Sequence, residues 1–420
     1  MVIDIFLKLN EISMEDKRMI PHIRRVYIRN YKSIAKLWVN LETFTLFVGP
    51  NGSGKSNFID ALSFVKDCLF NSIELAFTER GRIGAVRRRS IGHPTHIGIR
   101  LILELENDLS ADYAFEIAAE PKERFKVARE RCVIKGLWGD EYRFHVEHGK
   151  FIKEIPGIKP KLSPDRLALF AASATEEFRP VYDFLTSMRF YSIVPLKIRE
   201  LQEPDSGDYL KRDGSNAASV LKRLREEPQG SERYQRICRL LSKVVEGIRG
   251  VEDRAVGQKE TIQFKQDVGS EHPWTFDALN MSDGTLRVLG LLLSVFQLGH
   301  HSMVAIEEPE ATVHPAVTEL VIEVLMDASN ERQVLLTTHS PDILDFKYLN
   351  DSQIRVVTME SERNRTLIAP VSNAGRDAIR MKLYTPGELL RAGELSADIN
   401  EALKAAKQRN LFGAPILGTG

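Results

Sequence analysis

The sequence predicts an α/β fold on a mainly parallel sheet, with a β-rich lobe near the N-terminus and a helical stretch inserted in mid-chain. Three observations carry this. The apolar run Phe44-Thr45-Leu46-Phe47-Val48 reads as a buried strand, and a glycine-rich octet and an apolar-periodic helix from about Asn57 to Phe70 follow it. Downstream, strands and helices alternate: a helix from about Thr285 to Leu298, a strand at Met303–Ile306, a helix from Pro315 to Met326, then strands at Val334–Thr337 and Ile354–Thr358. Between these halves, strand candidates lie at Ile97–Leu105, Tyr113–Ala118, Arg124–Ile134 and Tyr142–Glu147. After the break at Pro156, Gly157 and Pro160, helical patterns run from Leu162 to Arg249.

The remaining elements follow in order. Ile23–Arg29 alternates like a strand, and Leu37-Trp38-Val39 reads as its neighbour. The helical block holds Leu167–Ala172, Phe178–Thr186, Ala217–Arg225 and Tyr234–Glu246, and Ile262–Phe264 returns to strand. Thr385-Pro386 looks like a helix start in the tail. No heptad array appears, which argues against a long coiled-coil arm.

Composition narrows the function classes. The 420 residues carry 58 basic and 58 acidic side chains, so a globally basic nucleic-acid binder is not indicated. The cysteines Cys68, Cys132 and Cys238 are widely spaced; they suggest neither a disulfide framework nor a zinc site and suit a reducing, cytoplasmic setting. The most apolar run, Leu286–Leu298, is short and interrupted by Arg287 and Gln297, so no membrane span is expected. Met1–Ile20 begins apolar and soon turns charged, without the order of a signal peptide, and reads as an extension.

The octet Gly49-Pro50-Asn51-Gly52-Ser53-Gly54-Lys55-Ser56 has the spacing of a phosphate-binding loop. Small residues let backbone N–H groups face phosphate oxygens, and the following helix adds partial positive charge. Lys55 suits the β- and γ-phosphates, and the Ser56 hydroxyl suits Mg2+. The second half of such a site is Val304-Ala305-Ile306-Glu307-Glu308-Pro309-Glu310, a buried strand ending in adjacent acids. Glu307 is assigned to the metal and Glu308 to the attacking water. Glu310 fits a loop support, a subunit contact or a solvated acid. Val334–Thr337 ends in Thr338-His339-Ser340-Pro341, where His339 can sense or stabilise γ-phosphate charge. Ser282 is placed to cap the helix that follows Met281-Ser282-Asp283-Gly284-Thr285, and Gly284 permits close backbone approach.

Together these residues resemble the ABC-type ATPase heads of the RecF, SMC and overcoming-lysogenization-defect (OLD) group. Arg29-Asn30-Tyr31-Lys32-Ser33 resembles the group's opening motif, and Gly49–Ser56 with Asn57 resembles its P-loop. Met281–Thr285 is similar to its signature, Glu307–Glu310 with His314-Pro315 to its acidic block, and Thr338–Pro341 to its switch. Asp213-Gly214-Ser215-Asn216 with Leu221 resembles a segment of the stand-alone bacterial members. The resemblance implies a two-lobed P-loop NTPase head that binds ATP and Mg2+. It further implies a homodimer that sandwiches ATP between Lys55 and Ser56 of one copy and Ser282 and Gly284 of the other. Glu307 stands where many relatives have Asp, and Asp283 replaces the Gly of the transporter-type signature. The group's glutamine-loop residue has no place in this sequence reading.

The resulting division is an extension at 1–20, a first ATPase lobe at 21–160, a mainly helical insertion at 161–275, a second lobe at 276–370 and a tail at 371–420 that suits docking. No Asp-x-Asp pair occurs and roughly eighty residues follow His339, too few for the TOPRIM nuclease domain of OLD-type relatives. The pairs His145, His148 and His300, His301 lack metal-binding company and read as structural. Arg80, Arg82, Arg87, Arg88 and Arg89 crowd one loop that fits DNA phosphates, or at least equally a solvated loop or one that contacts nucleotide or the dimer partner. The expected role is an ATPase in DNA maintenance or anti-phage defence. The rival is a nucleotide-gated scaffold controlling a separately encoded nuclease or toxin.

Overall fold

The computed structural model describes residues 19–90, 94–137, 139–153, 161–269 and 272–417. The extension at 1–20 therefore lies almost entirely outside the described residues. Three sheets organise the chain.

The first sheet is antiparallel: β1 (His22–Tyr31), β2 (Ile34–Asn40), β4 (His96–Glu104), β5 (Ser110–Glu120), β6 (Arg124–Lys135), β7 (Glu141–Glu147) and β8 (Lys150–Lys153), in the order β2-β1-β4-β5-β6-β7-β8. The second, which positions the site, is formed by β3 (Phe44–Val48), β9 (Arg189–Tyr191), β13 (Met303–Glu307), β14 (Gln333–Thr338), β15 (Ile354–Glu360) and β16 (Arg365–Pro370). Its order is β16-β15-β3-β14-β13-β9, and every neighbouring pair is parallel except β15 with β16.

This sheet is buried on both faces, which is why its strands read as continuous apolar runs. Phe47, Ala305 and Leu335 face the P-loop helix Lys55–Phe70 and the first sheet. Leu46, Val304, Ile306, Val334 and Leu336 face the opposite layer of helices Ala217–Glu226, Ser231–Val244, Asp283–Phe296 and Pro315–Ala328. Successive residues of a strand point to opposite faces, so each strand serves two cores.

The expected helices are present, with the P-loop helix starting at Lys55 rather than Asn57 and the signature helix spanning Asp283–Phe296. The stretch 161–275 is less helical than its sequence suggested. It supplies β9 to the core sheet, and β10 (Ile248–Val256), β11 (Lys259–Gln266) and β12 (Trp274–Asp277) form a third, antiparallel sheet. β9 has three residues, too few to show a period. In the tail, Thr385 caps helix Pro386–Arg391 through a capping box. Part of the tail's apolar surface is covered by the chain itself: Leu389 and Leu395 join the second core, and Leu411 packs on Tyr27, Trp38, Ile102 and Ala114 of the first sheet, whereas Met381, Leu383, Tyr384 and Ile399 are exposed. Helix Pro386–Arg391 thus has its apolar side turned inward rather than free for docking.

Candidate nucleotide-binding site

The carboxyl ends of β3, β13 and β14 lie side by side, with Thr338 opposite Val48 and Glu307 opposite Thr337. In a parallel sheet this edge is where connecting loops form a crevice. The glycine-rich loop leaves β3 there. Gly52 and Gly54 adopt φ of 77° and 105°, a region that favours glycine. A Cβ on Gly49 would lie 2.1 Å from the Val357 carbonyl oxygen, and one on Gly54 2.0 Å from Thr366 Oγ1. The loop is therefore wedged between β14, to which Gly49 N–H donates at 3.3 Å, and the β15–β16 hairpin.

The P-loop helix starts at Lys55 with no side-chain cap, so its first N–H groups remain available to an anion. Lys55 Nζ lies folded over the loop, donating to the carbonyls of Gly49 at 2.6 Å and Pro50 at 3.1 Å. Burial pushes its ammonium below the usual range, against the opposing pull of Glu308, Glu310 and Glu307. Ser53 Oγ is buried with no hydrogen-bond partner. A left-handed glycine cradle, an uncapped helix, a buried ammonium and an orphan hydroxyl suit a polyphosphate.

β13 ends in the acidic pair. Glu307 accepts from Arg212 Nη2 at 2.7 Å. Glu308 has φ 46°; its N–H donates to the Thr337 carbonyl at 3.0 Å. Arg287, buried on the signature helix, donates to the carbonyls of Glu307 at 3.2 Å and Glu308 at 2.6 Å and also to that of Ile193. His339 Nδ1 lies 3.3 Å from Glu308 Oε1. Glu310 supports the switch loop, its Oε1 accepting from Thr338 Oγ1 at 2.5 Å and from His339 N–H at 3.4 Å. Ser56 and Glu307 line one cavity of about 540 Å³. A hydroxyl and a carboxylate beside a polyphosphate cradle fit Mg2+, which takes few protein ligands and keeps phosphate and water oxygens. No glutamine lines that cavity.

The structure thus gathers the P-loop residues, Glu307, Glu308 and His339 at one edge. Ser282 and Gly284 lie on the turn that opens helix Asp283–Phe296, engaged in contacts of their own. Ser282 Oγ accepts from Thr285 N–H at 3.2 Å, as a cap should, and Arg199 holds the turn through the Met281 carbonyl at 2.9 Å and Asp283 Oδ1 at 2.5 Å. Gly284 packs against the Thr312 carbonyl. Asn57, placed with the nucleotide by its sequence, donates to Ser33 Oγ at 2.7 Å.

That contact belongs to a network that the sequence did not reveal. Ser33 Oγ is 2.6 Å from Thr366 Oγ1, which donates to the Ser53 carbonyl at 2.9 Å. Arg88 donates to the carbonyls of Ser33, Arg363 and Asn364. The arginine loop, which the sequence leaves open between phosphate-facing and solvated readings, is divided, and Arg80 lines the same cavity as Ser56 and Glu307. Arg80 is turned inward onto Asp60 at 3.0 Å and Asp67 at 2.6 Å, and Arg88 is buried; Arg82 and Arg89 remain exposed. Burial works to raise Asp60, but Arg80, Lys32 and the Tyr31 hydroxyl outweigh it and hold the carboxyl below its usual range. Buried guanidinium groups pair inside rather than reach for a ligand because an unpaired buried charge is costly. His301 is buried with Nε2 3.1 Å from the Leu298 carbonyl oxygen; burial, with Arg189 and Arg332 nearby, pushes it down to about 3.

Comparison with known proteins agrees with this geometry. Residues 44–345 match the family described as "AAA domain, putative AbiEii toxin, Type IV TA system". The chain is 48% identical over 243 residues to the chromosome partition protein Smc of Methanocaldococcus jannaschii, covering 50% of this chain and 18% of that protein. It is 30% identical over 119 residues to structural maintenance of chromosomes protein 1 of Schizosaccharomyces pombe, covering 25% of this chain and 9% of that one. The chain therefore spans less than a fifth of these relatives. Among solved structures, an Smc head bound to the C-terminal winged-helix domain of ScpA aligns with a TM-score of 0.52 at 14% identity, over 86% of this chain and 99% of that one. An Smc head with an extended coiled coil, bound to the C-terminal domain of ScpA derived from Pyrococcus furiosus, aligns with a TM-score of 0.52 at 14% identity, over 87% and 100%. At that identity the likeness speaks for fold alone. No helix among the described residues is long and apolar enough to cross a membrane.

Proposed function

We propose, for a chain that belongs to this AAA-domain family and has the fold of an ABC-type ATPase head of the SMC and RecF kind, that it is a Mg2+-dependent ATPase whose two copies close around ATP. The observation that supports this best is the meeting of Lys55, Ser56, Glu307, Glu308 and His339 at one sheet edge, with Ser282 and Gly284 on a separate turn ahead of helix Asp283–Phe296. A site half-built in one copy is completed by the signature turn of a second.

In this reading the loop N–H groups and Lys55 bind the triphosphate. Mg2+, held by Ser56 and Glu307, supplies charge neutralisation at the phosphates. Glu308 takes the proton of the attacking water, and its left-handed backbone, clamped by Thr337 and Arg287, fixes the carboxylate's aim. His339, beside Glu308, stabilises charge at the terminal phosphate. Ser282 and Gly284 of the second copy offer a capped helix N-terminus to the same phosphate. ATP favours the closed pair because its terminal phosphate is a differential ligand for that state. The setting proposed is DNA maintenance or defence against foreign DNA, acting alone or through a separately encoded effector; the chromosome-associated Smc relatives support the maintenance reading alone.

The test is turnover and sedimentation of wild type against Glu308→Gln. Loss of a general base lowers turnover by about 10²–10⁴, with nucleotide binding retained and a persistent dimer. Equal background turnover in both proteins would favour a scaffold that senses nucleotide without hydrolysis.

A further inference from the structure

Arg212 stands at the metal side of the site without a role in the mechanism above. Its Nη2 donates to Glu307 Oε1 at 2.7 Å, and it lines the same cavity as Ser56 and Glu307. Its backbone is fixed. The Arg212 carbonyl accepts from Ser192 N–H at 2.9 Å, and the Asp213 carbonyl accepts from Val194 N–H at 3.0 Å, just beyond β9. Asn216 Oδ1 accepts from Lys211 N–H at 2.8 Å, and Gly214 turns the chain with φ 84°. The Arg212 side chain, by contrast, is half exposed. A rigid base carrying a half-exposed guanidinium held by a single ion pair is a movable arm.

The arm and the metal compete for one carboxylate. Mg2+ binds carboxylate oxygens at about 2.0–2.1 Å. A guanidinium on the same oxygen would then lie within a few ångströms of a divalent cation, where like charges repel strongly. Once the metal takes Glu307, Arg212 needs another anion. The terminal phosphate of a nucleoside triphosphate offers oxygens that match the guanidinium fork. A diphosphate lacks that group. We infer that Arg212 is a γ-phosphate-sensing arm that pairs with Glu307 until a Mg-nucleoside triphosphate binds, and then transfers to its terminal phosphate. The inference rests on the ATPase reading and adds to it a residue that distinguishes triphosphate from diphosphate.

The test measures equilibrium binding of a fluorescent non-hydrolysable ATP analogue and of fluorescent ADP to the full chain, across a buffered Mg2+ series. In Arg212→Ala, the analogue-to-ADP affinity ratio falls about tenfold, because the analogue loses a hydrogen bond between charged groups while ADP loses no contact and keeps or gains affinity. The Mg2+ concentration for half-maximal binding falls as well, because Glu307 has lost its competitor. Arg212→Lys, which keeps the charge without the fork, recovers only part of the discrimination. A structural prop would behave otherwise, weakening both nucleotides together and raising the Mg2+ requirement. That pattern, or an unchanged analogue-to-ADP ratio, overturns the inference. If wild type binds neither nucleotide, or Lys55→Ala binds as wild type does, the ATPase reading itself fails and takes this inference with it. That result is distinct from an unchanged ratio in Arg212→Ala beside a silent Lys55→Ala.

Discussion

Thr366→Val isolates what the β15–β16 hairpin contributes to the phosphate-binding loop. The two side chains have nearly the same shape, so the substitution removes a hydroxyl without opening a cavity. Thr366 is 1% exposed and Ser53 1%, so water does not replace what is lost. Two hydrogen bonds disappear: the one donated to the Ser53 carbonyl at 2.9 Å and the 2.6 Å contact with Ser33 Oγ. Ser33 keeps Asn57 Nδ2 at 2.7 Å, so its loss is partial. The Ser53 carbonyl is left buried opposite a methyl group, which costs about 1–3 kcal/mol. That strain falls on the turn before Gly54, whose position leaves 2.0 Å between a built Cβ and Thr366 Oγ1 and hence no slack. If the loop relaxes outward, the cost appears as nucleotide affinity, about tenfold per 1.4 kcal/mol; if it stays, the cost appears in the unfolding free energy. Binding of a fluorescent ATP analogue and chemical denaturation, measured together, must sum to roughly the same total. Thr366→Ser, which keeps the hydroxyl, should lose little in either. A Thr366→Val protein that binds and unfolds like wild type would refute the idea that this hairpin braces the loop.

Arg88→Glu and Arg89→Glu should separate, although the two arginines are neighbours. Arg88 holds three carbonyls, and a buried carboxylate in its place faces only acceptors, a loss of about 3–5 kcal/mol in thermal or chemical unfolding. Exposed Arg89 should stay within about 0.5 kcal/mol; any effect of the loop on duplex DNA affinity should come from Arg82 and Arg89, read by titration across salt. Glu130 gives a pH dependence. Burial pushes its carboxyl up to about 7, against the Ala168 and Leu169 N–H groups and the Tyr113 hydroxyl that pull it down. A raised carboxyl pKa contributes stability that is complete below the unfolded value near 4.5 and is lost as pH rises through about 7. Stability by urea titration should therefore decline between pH 5 and 8 by at most about 3 kcal/mol from this group, and Glu130→Gln should flatten that part of the profile.

The parts of the fold legible in sequence were those where one physical constraint dominates. β3, β13 and β14 read as strands because both of their faces are buried, and the octet because its backbone leaves no room for a side chain at Gly49 and Gly54. β9 and β16 escaped notice for opposite reasons. β9 is three residues beside a helix, and β16 follows a turn of Ser361, Glu362 and Arg363 that looks like a loop. The arginine loop misled because charge density in sequence says nothing about direction. Arg80 finds Asp60 and Asp67, about two turns apart along the P-loop helix, and Arg88 finds carbonyls of residues over 270 positions away. Thr366, Arg212 and Arg287 carry no motif, since each acts through a partner that only the folded sheet brings near.

Arg287 shows how such a partner links the two halves of the proposed site. It sits just over one turn beyond Ser282 on the same helix, and its guanidinium holds the backbone of Glu307 and Glu308. A phosphate arriving from the second copy meets the N-terminus of that helix, while the base this copy uses on its own nucleotide hangs from the helix's first turns. Helices move as rigid bodies more readily than they stretch, because their hydrogen bonds form a cooperative ladder. Any shift of the Ser282 turn on closure therefore reaches Glu308 through Arg287 rather than dissipating along the way. Glu308 sits at φ 46°, a conformation a non-glycine residue keeps only when its surroundings insist. In the proposed closed pair, the clamp and the strain together would make the aim of the base depend on whether the second copy is docked, tying hydrolysis to closure without any contact between the partner and Glu308 itself.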